Sequence, residues 1–169
     1  MSKKRAKMTR DTLPEGFTLA LAAVDAVPVL FFSATMVLAG LRLRSVLFLL
    51  GASMALFAGA AKVLWKFIVV LKKKNIRWMS LQMRVLMPPG LLLMLASLAV
   101  PGRVSAAGLR SAFTAMPSAL FFAAGFLGMV LMMVFAFNLN SDDPKANWIE
   151  QLTNGAAQAA FFLGVLLLP

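Results

Sequence analysis

Cysteine, histidine and tyrosine are absent from the 169-residue sequence, and each absence closes off some chemistry. Without cysteine there are no disulfides, thiolate metal sites or cysteine nucleophiles. Without histidine the chain lacks the usual haem and zinc ligand, the commonest general base and the side chain that titrates near neutral pH. Carboxylates are scarce too: six Asp and Glu stand against 17 Lys and Arg, for a net charge of +11. A hydrolytic mechanism would rest on Asp25 or Glu150 alone, with no nucleophile–base spacing beside them. An intramembrane enzyme is therefore the last of the readings the sequence leaves open, and no catalytic residue, metal or cofactor is assigned.

Apolar residues are abundant instead. They make up 61% of the chain, against about 45–50% in a soluble domain. The mean hydropathy is +0.86. Phe (14) and Met (12) carry much of that bulk. A soluble fold of this size could not hide so much apolar surface, whereas a bilayer removes the need. The expected fold is an all-α integral membrane protein, in the cytoplasmic membrane of a bacterium. The positive charge does not point to nucleic acid, because most basic residues form short clusters between long apolar runs, as topology determinants do. Met1–Arg10 is basic like a signal-peptide n-region, but the apolar stretch behind it is too long for an h-region, so it reads as a retained first span.

Spanning a bilayer takes about 20 apolar residues. Five segments qualify, at about 17–40, 46–71, 78–100, 112–137 and 147–168, behind a basic N-terminal segment 1–16. All five belong to a single transmembrane domain, 17–169. One side of this arrangement collects ten Lys and Arg: Lys3, Lys4, Arg5, Lys7, Arg10, Lys72, Lys73, Lys74, Arg77 and Lys145. The other collects four: Arg42, Arg44, Arg103 and Arg110. The positive-inside rule then puts the N-terminus in the cytoplasm and the C-terminus outside. Trp78 and Trp148 fall at the cytoplasmic interface, where aromatic belts form. No internal repeat marks a self-contained secondary transporter.

Ionisable residues inside a span cost roughly 2.5–3.5 kcal/mol each, so they mark candidate sites. Asp25 lies about 12 Å into the first span, and Lys62 and Lys66 about 15 and 9 Å in from the cytoplasmic end of the second, at 1.5 Å per residue. Depth alone suggests Asp25 and Lys62 as partners. Arg84 and Pro88-Pro89 enter the third span from the same side. Glu150, Asn154 and Gln158 share one face of the fifth at i, i+4, i+8. In the second span the small-residue stripe Gly51, Ala55, Gly59 suits close helix packing, and continuing it reaches both lysines, which places them on the packed face. Counting Asp25 and Glu150 against Lys62, Lys66 and Arg84 leaves one surplus positive charge, room for an anionic ligand.

Each signal also has a plainer reading. Lys66 and Arg84 have stems long enough to snorkel, the Asp25 pair serves structure alone, and the polar face of the fifth span works as interhelical glue. Asp142, Asp143 and Pro144 read as a helix start. Met129, Met132 and Met133 read as packing, as do Gly125 and Gly128, which are too close together for a Gly-xxx-Gly motif. The expected function is binding or transport of a small anionic solute or lipid headgroup at the polar cluster. The alternative is a non-catalytic subunit or assembly factor. The expected partners are membrane lipids, a small anionic ligand, and a second copy or another membrane protein.

Overall fold

The computed structural model of the chain describes residues 18–102, 110, 113–139 and 144–168. Their regular structure is entirely helical, in five long helices: α1 (Leu19–Arg42), α2 (Val46–Lys72), α3 (Arg77–Leu98), α4 (Ser118–Asn138) and α5 (Pro144–Leu166). Four of these, α1 to α4, are long and apolar enough to cross a membrane. α5 is 23 residues long, but Lys145, Asn147, Glu150, Gln151 and Asn154 make its first half polar.

Local chemistry explains the helix ends. Thr18 Oγ1 accepts the Leu21 N–H at 3.1 Å and starts α1. At the other end Arg44 takes a left-handed conformation (φ 48°), and the Ser45 and Arg44 amides donate back to the Gly40 and Leu41 carbonyls. That is a Schellman closure. Ser45 then caps α2, its hydroxyl accepting the Phe48 N–H at 3.2 Å. Pro28, Pro88 and Pro89 lie inside helices without ending them, as transmembrane helices tolerate. α4 begins at Ser118 rather than near 112, because Pro117 has no N–H with which to carry a helix through from residues 113 and 114. α5 begins at Pro144, three residues before the expected start, since proline suits the first helical position. Asp142, Asp143, Arg103 and the basic segment 1–16 lie outside the described residues.

The helices pack as a row, α3–α2–α1–α5–α4, in which the described residues of α3 touch only α2 and those of α4 only α5. Small residues set the approach. A Cβ on Gly51 would sit 2.4 Å from the Gly90 carbonyl oxygen, so α2 and α3 cross with backbone against backbone. A Cβ on Gly59 would instead meet the Val29 side chain at 3.0 Å. The small-residue stripe thus winds from the α3 side of α2 to its α1 side. Between α4 and α5, phenylalanines fill glycine notches: Phe161 lies over Gly125 and Phe122 over Gly164, and a Cβ on Gly128 would come 2.6 Å from that of Ala157.

Candidate functional site

The charged centre of the bundle joins α1 to α2. Lys66 Nζ lies 2.7 Å from a carboxylate oxygen of Asp25, and the two side chains are only 8% and 10% exposed. Asp25 therefore pairs with Lys66, not with Lys62 as the depth estimate suggests. The helix ends explain this: Asp25 is six residues inside α1, and Lys66 is six residues before the end of α2. At 1.5 Å per residue both lie about 9 Å deep.

Lys62 and Glu150 are near enough for their charges to act on the Lys66 ammonium. Both are half-buried. These four residues balance, two cations and two anions. Arg84 is elsewhere: it is exposed, on a helix that reaches neither α1 nor α5. The surplus positive charge obtained by counting it is not gathered at this centre. Further along α5, Asn154 is half-buried, and the half-buried Gln158 amide donates to Met129 Sδ at 3.6 Å.

One polar residue escapes sequence reasoning. Gln82 on α3 is 5% exposed and donates from Nε2 to the Ala58 carbonyl at 2.9 Å, bridging to α2 one turn before Lys62. Its Oε1 accepts no hydrogen bond among the described residues. A single glutamine among apolar residues carries no periodic signal that would have found it.

A second feature, an apolar concavity, lies toward the opposite end, beside the α1–α2 link. It is a cleft of about 600 Å³, within the range of about 300–1,000 Å³ typical of ligand pockets. α1 lines it with Phe32, Thr35, Met36 and Ala39, α4 with Phe122, Phe126 and Met129, and α5 with Gln158, Phe161 and Val165. Leu98 at the end of α3 and Phe113 ahead of α4 flank it, although α3 and α4 do not touch. Among the described lining residues only Thr35 and Gln158 are polar, and the Thr35 hydroxyl is spent on the Phe31 carbonyl at 2.7 Å. The aromatic walls are mutually fixed: Phe126 and Phe161 meet edge-to-face at 5.2 Å, and Phe113 stacks on Phe126 at 6.5 Å. The sequence does carry this pattern. Positions 32, 35, 36 and 39 are spaced as one helix face, but the same spacing describes an ordinary packed face.

Polar contacts lie next in the chain to the lining residues Leu43 and Val165. The Arg42 guanidinium donates to the carbonyls of Leu168 (3.0 Å) and Leu166 (3.3 Å), and Ser118 Oγ donates to that of Leu167 at 3.2 Å. These bonds satisfy carbonyls at the end of α5 that have no partner within the helix. They also place the ends of α1 and α5 and the start of α4 at one level.

No family model, curated protein or solved structure matches this chain. The site's own chemistry must carry the functional reading.

Proposed function

We propose that this chain is a five-span membrane protein with a cytoplasmic N-terminus that binds a lipid, holding one of its chains in the aromatic cleft. The carrying observation is the cleft itself: about 600 Å³, walled by Phe and Met, and flanked by two helices that leave each other uncovered. Such walls reward an apolar occupant and give a free anion nothing to pair with. The Asp25–Lys66 pair and its neighbours then hold α1, α2 and α5 in the arrangement that forms the cleft.

Three features support counting α5 as a span. Its 23 residues reach about 35 Å, enough to cross the hydrocarbon core. It also packs between α1 and α4, so protein rather than lipid flanks it on two sides. Its last carbonyls meet Arg42 at the end of α1, which makes those two helices parallel, as an odd number of spans requires. Cysteine labelling in intact cells tests the orientation: Lys74→Cys should be shielded from impermeant reagents and Ser105→Cys should react. The reverse pattern would invert the assignment.

Filling the cleft tests the binding. Ala39 lines it, so Ala39→Phe should displace an occupant while leaving the caps and the ion pair in place. Native mass spectrometry of the protein released from mild detergent should show bound lipid on the wild type, and several-fold less on Ala39→Phe at a similar melting temperature. Equal retention would refute the cleft as the site.

A second reading, as a subunit of a larger assembly, draws on Arg84. This arginine is exposed about 10 Å along α3, where facing lipid is costly. A partner chain that co-purifies in one-to-one ratio is the mark of that reading.

A further inference from the structure

From the rim of the same cleft we infer the class of lipid: an anionic phospholipid of the outer leaflet, its phosphate held by Arg42 and Arg110 with Arg44 adding charge. This inference rests on the cleft binding a lipid chain, and goes on to name the headgroup.

The cations stand next to the lining residues in the chain. Leu43, between Arg42 and Arg44, lines the cleft. Arg110 lies one helical turn from Phe113, which also lines it, and the Thr114 hydroxyl donates to the Arg110 carbonyl at 2.9 Å. All three arginines are exposed. The six Asp and Glu are placed differently along the sequence: Asp11 and Glu15 precede α1, Asp25 lies in its second turn, Asp142 and Asp143 precede α5, and Glu150 lies in its first half. The two that lie in described residues, Asp25 and Glu150, both sit toward the end of the bundle opposite Arg42.

Arg42 is already oriented. Its Nη1 and Nη2 donate to the carbonyls of Leu168 and Leu166, immediately past Val165 of the cleft wall. A guanidinium has five N–H donors in a planar fork, so those two bonds hold it at the rim and leave donors for a phosphate. An apolar slot beside cations, with no Asp or Glu among the described residues there, is complementary to a molecule with a chain and a net negative head. A zwitterionic lipid brings its own cation to the same arginines and gains less.

The test compares phosphatidylglycerol with phosphatidylcholine of identical chains, titrated into delipidated full-length protein in detergent and read by native mass spectrometry. The wild type should prefer phosphatidylglycerol by about fivefold, on the scale of one basic residue's attraction to an anionic head, and salt should weaken that preference. Arg44→Asn with Arg110→Gln should cut the preference several-fold, with Arg42 sustaining the remainder, and should weaken phosphatidylcholine, which carries the same phosphate, much less; asparagine tolerates the left-handed backbone at residue 44. Arg42 is left intact because it also caps α5. Ala39→Phe should weaken both lipids, which separates the chain from the head. Glycerol phosphate, carrying the same anion without a chain, should not compete. Equal wild-type affinity for the two lipids, or a preference insensitive to salt, would overturn the headgroup assignment while leaving the cleft reading standing. Lipid binding untouched by Ala39→Phe, or effective competition by glycerol phosphate, would overturn both. Should the double variant fail to fold, the salt dependence of the wild-type preference decides alone.

Discussion

Lys66→Met should be among the most damaging single substitutions in this protein. It removes one member of a 2.7 Å ion pair whose side chains are 8% and 10% exposed, leaving the Asp25 carboxylate buried without its cation. Breaking a buried pair by deleting one partner costs about 3–5 kcal/mol, because the remaining charge keeps its desolvation penalty and loses its compensation. Asp25→Asn should cost a comparable amount through the stranded ammonium. The double variant should recover much of the loss, since replacing both charges by neutral groups of similar shape is often nearly neutral. Melting temperatures in detergent for all four proteins complete the cycle, and strictly additive losses would mean that the pair contributes nothing as a pair. Lys62→Met should be much milder: Lys62 is half-buried and only adjoins the pair.

Gly51→Leu should have the second large effect, through packing alone. Its Cβ would fall 2.4 Å from the Gly90 carbonyl oxygen and 2.9 Å from Met94 Cγ. The first of those neighbours is backbone and cannot rotate aside. Overpacking a filled site typically costs about 1–3 kcal/mol, and a clash against backbone belongs at or above the top of that range. The described part of α3 touches nothing but α2, so helices forced apart here gain no compensating contact. Gly155→Ala is the matched control. The nearest atom to its added Cβ would be Val27 Cγ1 at 3.7 Å, an ordinary contact, so stability should hardly change. Equal losses in the two variants would show that the Gly51–Gly90 crossing is not the tight point of the fold.

The helical class and the four helices long and apolar enough to cross a membrane were legible because length and mean hydropathy are summed over many residues and tolerate local error. Partnerships depend on a residue or two and were less legible. Lys62 and Lys66 lie on the same stripe of α2, one turn apart, so choosing between them needed the true start of α1 at Leu19 rather than Phe17. The start of α4 moved for a similar reason: hydropathy runs on through residues 112–117, but the proline at 117 interrupts the helix. Spacing put Glu150, Asn154 and Gln158 on one face of α5, but it could not identify their neighbours. Gln158 looks inward to Met129 and the cleft, while Glu150 acts on Lys66. The cleft could not be told from ordinary packing in the sequence. Phe32, Phe122, Phe126 and Phe161 have the spacing of packed residues on three different helices. Only the order of those helices in the row leaves a gap between them.

That gap carries the functional account, and the methyl groups of methionine report on it directly. Met36 and Met129 line the cleft, Met129 with 41% of its surface exposed, whereas Met133, one turn further along α4 and 57% exposed, does not line it. With ¹³C-methyl methionine in delipidated protein, titration with a single phospholipid should shift Met36 and Met129 saturably at one lipid per protein. Met133 should move little and without saturation, as a surface bathed in detergent and lipid alike. Shifts at Met36 and Met129 that merely track Met133, or that do not saturate, would mean that the cleft holds no lipid, and the proposed function would fall with it.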